Sequence, residues 1–128
     1  MIQRIASAPG LAPALGPYSQ AVVANGFVFT TGQVPFGADG ITPERFEDQV
    51  VVCIENLRSV LEAAGSGLDL VVKVNAYLTS PDQRDTFNRV YAEYFGDAKP
   101  ARTTVCVSIW DIPMELECVA VLRSEESA

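Results

Sequence analysis

The apolar positions of this chain follow two periods that alternate along it. Tyr18 to Ala24 and Phe27 to Thr31 are β-favouring runs separated by Asn25-Gly26. An Asn-Gly pair between two such runs predicts a hairpin, because both central residues of a type I′ turn need positive φ. Phe46, Val50, Cys53, Ile54, Leu57, Val60, Leu61 and Ala64 then recur every three or four residues. That spacing predicts an amphipathic helix, with Thr42-Pro43-Glu44 placed to start it and Gly65 to end it. Val72, Val74, Ala76 and Leu78 next alternate with Lys73, Asn75, Tyr77 and Thr79, the period of a half-buried strand. Ser80-Pro81-Asp82-Gln83 supplies an N-cap, a proline at the first helical position and a capping glutamine. Phe87, Val90, Tyr91, Tyr94 and Phe95 follow as the stripe of a second helix, which Gly96 closes. Thr103 to Ile109 and Glu115 to Leu122 alternate again as two more strands. The first 17 residues, rich in Ala, Pro and Gly, lack a period and read as an extended lead-in.

The predicted order is β-β-α-β-α-β-β in one domain spanning residues 1 to 128. Helices inserted between strands cover one face of a mixed sheet, which gives a two-layer α+β architecture. The opposite face is expected to carry Lys73, Asn75, Tyr77, Glu115, Glu117 and Val119, a polar and apolar mixture suited to a subunit interface. If the two closing strands form a hairpin, Arg102 on one lies beside the other.

Composition narrows the chemistry. Nine Lys and Arg against 16 Asp and Glu leave a net charge of −7, without any basic run, so nucleic acid is not an expected partner. There is no histidine, which removes Ser-His-Asp and Cys-His catalysis and the commonest metal ligand. Cys53, Cys106 and Cys118 sit in apolar-periodic segments and none are closely spaced, so they are expected as buried, reduced thiols. No metal and no organic cofactor is expected. Pro9, Gly10 and Pro13 interrupt any apolar run near the start, and no segment approaches the ~20 residues of a membrane span. Neither a signal peptide nor a membrane anchor is therefore expected, and the expected compartment is the cytoplasm.

The remaining chemistry lies with carboxylate, guanidinium, hydroxyl and backbone amide. Glu115 and Glu117, two apart in a strand, project from one face. Such a pair is ordinarily a solvated strand face, and otherwise a source of general acid/base catalysis. Arg102 at a strand entrance is ordinarily a surface ion-pair partner, and otherwise the side chain best shaped to grip a carboxylate through two parallel hydrogen bonds. Asn88 interrupts the stripe of the second helix, where it is exposed, caps a neighbouring backbone group or faces a ligand. Glycine beside hydroxyl residues in Gly16-Pro17-Tyr18-Ser19-Gln20 and Thr31-Gly32-Gln33 lets backbone N–H groups approach a ligand, although ordinary turns share that composition.

In order along the chain stand GPYSQAV at 16 to 22, TTGQVP at 30 to 35, Gln49 and Asn56-Leu57 in a helix ending LEAAG at 61 to 65, and VVKVNAYLTS at 71 to 80. FNRVYAEYFG at 87 to 96, PARTTV at 100 to 105 and ELECVAV at 115 to 121 complete the series. Together they resemble the Rid/YjgF family, also called liver perchloric-acid-soluble proteins. The resemblance implies a chorismate-mutase-like α+β fold and a homotrimer whose sheets enclose a central barrel, with clefts at the subunit interfaces. It also implies hydrolysis of 2-imino acids and their enamine tautomers, such as 2-iminopropanoate and 2-iminobutanoate, to 2-keto acids and ammonia without a cofactor. On the matching positions, Arg102 would hold the substrate carboxylate and Glu115 would activate water. Tyr18, Thr31, Gly32, Asn88 and Thr104 would line the cleft.

Thr31 stands where many members have serine, and Thr104 where many have cysteine, so thiol chemistry is not expected at that position. The connection from Trp110 to Met114 is shorter than usual, which keeps Glu117 as the alternative cleft carboxylate. Three other functions attach to the same resemblance: a carboxylate-binding regulatory trimer without turnover, a deaminase of an aminoacrylate or aminomuconate type of enamine, and an endoribonuclease. The acidic balance and missing histidine speak against the last.

Overall fold

In the computed structural model, which describes residues 1–124, Asn25 and Gly26 have φ of 53° and 81° and turn the chain between β2 (Ala21–Ala24) and β3 (Phe27–Thr30). Ala24 pairs with Phe27, so the loop has the two residues and the positive φ values that the Asn-Gly signal predicts. The lead-in is more ordered than its composition suggests. Ile2–Ile5 forms a strand, β1, antiparallel to β2, and only Ile5 of its four residues is buried. A strand this short with one core residue leaves no readable period.

Helix α1 (Phe46–Ala63) buries Val50, Cys53, Ile54, Leu57, Val60 and Leu61, the predicted stripe. It starts later than Thr42-Pro43-Glu44, because Gln49 Nε2 donates to the Pro43 carbonyl (2.8 Å) and holds that segment outside the helix. It ends at Gly65, whose φ of +87° suits glycine. The Ser80-Pro81-Asp82-Gln83 capping box forms over a single 3₁₀ turn and leads into α2 (Arg84–Phe95), which buries Phe87, Val90, Tyr91 and Phe95.

Strands β4 (Val71–Leu78), β5 (Ala101–Cys106) and β6 (Met114–Val121) complete the sheet, ordered β1-β2-β3-β6-β4-β5. Both helices pack on one face, over Val28, Val74, Ala76, Leu78, Met114, Leu116 and Ala120. The other face carries Lys73, Asn75, Tyr77, Glu115, Glu117 and Val119, as expected, together with exposed Phe27 and Phe29. The two-layer α+β reading therefore holds, with one strand more than the predicted order.

Three details differ from expectation. A register shift between Val71 and Lys73 turns Val72 out of the core, so Val71 takes the buried place expected of Val72. Strand β5 ends at Cys106, and on this sheet edge the Cys106 thiol is exposed while Cys53 and Cys118 are buried. The two closing strands do not form a hairpin. Strand β5 pairs in parallel with β4 on the far side from β6, because the α2 crossover returns the chain beside the strand it left.

Candidate functional site

That topology decides where the two central residues point. Arg102 is the register partner of buried Val74, so it projects toward the helices, whereas Glu115 pairs with Tyr77 and projects from the open face. Within one chain the guanidinium and the carboxylate lie on opposite sides of the sheet, with β4 between their strands.

Arg102 is held from above by α2. Its Nη2 donates to Asn88 Oδ1 (2.7 Å), and its Cζ lies 5.1 Å and 4.7 Å from the ring centroids of Phe87 and Tyr91. The Asn88 break in the helical stripe thus supports the arginine rather than capping a neighbouring backbone group. Among the described residues no carboxylate comes within ion-pair distance of Arg102. Its charge is fixed on aromatic faces and left free for an anion. Beside it opens a cleft of ≈ 340 Å³ lined by Leu78, Pro81, Arg84, Thr104, Val105 and Cys106. The Thr104 hydroxyl is buried and has no hydrogen-bond partner among the described residues.

Glu115 occupies a second cleft, of ≈ 300 Å³, with Tyr18, Thr31 and Gly32. The local chain course explains the grouping. Phe29 pairs with Val119 and Gln33 bridges to Leu116, so residues 30, 31 and 32 oppose only residues 117 and 118. The extra residue is a β-bulge, which re-aims side chains beside a ladder. Thr30 fills the gap by accepting the Cys118 N–H (3.0 Å) on its Oγ1, and the Thr31 hydroxyl donates to the Ser19 carbonyl. Gly32 lies against the glutamate itself: a methyl group there would sit 2.5 Å from Glu115 Oε2. The glycine gives the carboxylate its room.

The two glutamates differ in their surroundings. Glu117 Oε1 accepts from Asn75 Nδ2 (3.0 Å) and Tyr77 Oη (2.9 Å), and the Tyr77 phenol is raised in turn, first by that hydrogen bond. Glu115 accepts no hydrogen bond from the described residues. Burial first, then the neighbouring Glu117 charge, raises its carboxyl above the ordinary carboxylate value. Only Glu115 of the pair lines the cleft.

Sequence reasoning passed over the buried amides that hold this cleft in place. Asn56 Nδ2 donates to the carbonyls of Val34 (2.9 Å) and Phe36 (2.8 Å), and Gln33 Nε2 donates to Gln20 Oε1 (3.0 Å). Asn56 lies three residues after Cys53 and four before Val60, on the apolar stripe, and a polar residue there was the readable signal. Asn56→Ala should strand two carbonyls and cost about 1–3 kcal/mol of stability, read as a lowered urea midpoint with unchanged m. Trp110 and Leu15, at the rim of the Glu115 cleft, were also passed over. Among the described residues no His, Cys, Asp and Glu cluster is placed to hold a metal, and no helix is long and apolar enough to cross a membrane.

The fold defines a two-layer α+β protein with a cleft on each face of its sheet. A family model described as Endoribonuclease L-PSP matches residues 9–122, and the chain belongs to that family, the Rid/YjgF family its motifs resemble. It is 43% identical over 110 residues to a RutC family protein of Pyrococcus horikoshii, covering 83% of this chain and 87% of that one. It is 39% identical over 113 residues to the mitochondrial protein mmf1 of Schizosaccharomyces pombe, covering 83% and 68% of the two chains. The crystal structure of Escherichia coli TdcF with bound serine superposes with a TM-score of 0.87 at 31% identity, covering 95% of this chain and all (100%) of that one. Membership supports an imine-deaminase or small-molecule-binding role. With a mitochondrial relative present, it does not fix the compartment.

Proposed function

We propose that this protein hydrolyses 2-imino acids and their enamine tautomers, 2-iminopropanoate and 2-iminobutanoate among them, to 2-keto acids and ammonia. Each site takes Arg102, Asn88 and Thr104 from one subunit and Glu115, Tyr18, Thr31 and Gly32 from the next subunit of a homotrimer. One observation carries this reading: among the described residues, a guanidinium without a carboxylate partner and a carboxylate that accepts no hydrogen bond stand in separate clefts on opposite faces of one sheet. A second copy supplies what each half lacks. The exposed Phe27 and Phe29, with Val105 at the edge strand, are apolar surface that such an assembly would cover.

The chemistry needs no further group from the chain. Arg102 binds the substrate carboxylate and orients the protonated imine, which is already electrophilic at carbon 2. Water adds there while Glu115 accepts its proton, giving a carbinolamine. Glu115 returns the proton to nitrogen, the C–N bond breaks as the carbinol hydroxyl gives its proton to Glu115, and that proton passes to the departing ammonia, so keto acid and ammonium leave. A carboxyl raised above its ordinary value is a stronger base than a free one, which suits that step.

Light scattering should give about three times the 13.8 kDa chain mass, as closed threefold symmetry requires. Arg102→Ala and Glu115→Gln, each nearly inactive alone, should complement when co-refolded. Random mixing at equal amounts leaves about a quarter of the sites with both groups intact, so about a quarter of wild-type ammonia release is expected. No recovery from verified mixed trimers would place both groups in one subunit's site and remove the shared-site reading. The TdcF structure with bound serine favours a second reading, a carboxylate-binding trimer without turnover. It requires saturable 2-keto acid binding with no ammonia released from fresh imine.

A further inference from the structure

The Glu115 cleft has a second wall that the proposed chemistry does not use. Trp110 is the only tryptophan in the chain, stands 95% exposed, and lines this cleft together with Leu15, Val34 and Ile112. Leu15 is likewise 75% exposed. Trp110 adopts φ of 25°, in the region that disfavours side chains other than glycine, and the turn continues as Ile112 N–H donates to the Ile109 carbonyl (3.0 Å). The short connection before β6 thus presents an indole at the rim of the cleft instead of packing it into the core.

We infer that Trp110 and Leu15 form the pocket for the substrate side chain and select imino acids with bulky apolar side chains, such as those derived from leucine, over 2-iminopropanoate. This rests on the imine-hydrolysis reading. The polar groups at Tyr18, Thr31 and Glu115 face the reacting end of such a substrate, and the apolar wall is what remains for its carbon chain. A methyl group has too little surface to use that wall. A branched or aromatic side chain is removed from water by it, and each added carbon in an apolar pocket changes discrimination by ~10-fold or more.

Imino acids generated in place from alanine and leucine by an amino acid oxidase provide the test, with ammonia release as readout and trimer mass checked for each variant. Wild type should have the higher kcat/KM for the leucine-derived substrate. W110A should lower the leucine-to-alanine preference by roughly tenfold or more. L15A should shift the same ratio in the same direction. A wild-type preference for iminopropanoate, or an unchanged ratio in both variants, overturns the pocket while leaving imine hydrolysis standing. If wild type hydrolyses neither substrate, the parent reading fails, and the lone indole still reports on the contact. Titration with 4-methyl-2-oxopentanoate should then shift tryptophan emission to the blue at lower concentration than pyruvate does, and an emission indifferent to both acids overturns the inference.

Discussion

Arg102→Ala should lower kcat/KM for iminopropanoate hydrolysis by roughly thirtyfold to several thousandfold. Truncating one partner of a desolvated, charge-assisted pair typically costs ~2–5 kcal/mol, and each ~1.4 kcal/mol is a factor of ten. The arginine also makes contacts that lysine cannot reproduce. Its planar group spreads over the Phe87 and Tyr91 rings while Nη2 binds Asn88, and among the described residues its other N–H groups have no carboxylate partner. Lysine would place a single ammonium there without the fork, so Arg102→Lys should recover only a minor part of the loss. Asn88→Ala frees the guanidinium from its lateral support and should raise KM more than it lowers kcat. Steady-state ammonia release by trimers of verified mass decides the matter. Near-wild-type rates for both arginine variants would reduce Arg102 to a surface cation worth ~0–1 kcal/mol of stability and remove the anion clamp.

How far the sequence was legible depended on how local each feature is. The hairpin at Asn25-Gly26, the stripes of both helices and the capping box at Ser80 are short-range patterns, and the structure carries them where the residues predict. Strand β1 offered only Ile5 to the core and so carried no period. The bulge at Val72 also left no trace, because a valine is apolar on either face. Strand neighbours are long-range facts, and there the reading failed. A hairpin of β5 and β6 would have set the strand of Arg102 directly beside the strand of Glu115 in one subunit. The 22 residues between β4 and β5, containing a helix, were the available sign of a parallel crossover, which places β5 on the outer edge and Arg102 on the helix side. Residue chemistry nominated Arg102, Asn88 and the pair of Glu115 and Glu117 as candidates, but the roles proposed for them came through resemblance alone. Periodicity could not distinguish Glu115 from Glu117, since both occupy the same face.

Their surroundings do distinguish them, and Glu115→Gln should therefore slow imine hydrolysis by roughly a hundredfold to ten-thousandfold, the usual weight of a positioned general base. The amide preserves shape beside Gly32 but cannot take a proton from water. Glu117→Gln should cost far less, because an amide oxygen can still accept from Asn75 and Tyr77. The pH profile separates the two roles further. In the proposed mechanism Glu115 works as its carboxylate, so kcat/KM should fall as pH drops through its pKa, and this acid limb should lie above the ordinary carboxylate value because burial and the Glu117 charge both raise it. Removing the Glu117 charge leaves only the burial contribution, so in Glu117→Gln the limb should move to lower pH with the plateau rate largely kept. In Glu115→Gln the limb should vanish from the residual activity. If Glu117→Gln instead abolishes turnover while Glu115→Gln retains both rate and acid limb, the working base is the glutamate bound to Asn75 and Tyr77, and the cleft beside Gly32 serves only to bind.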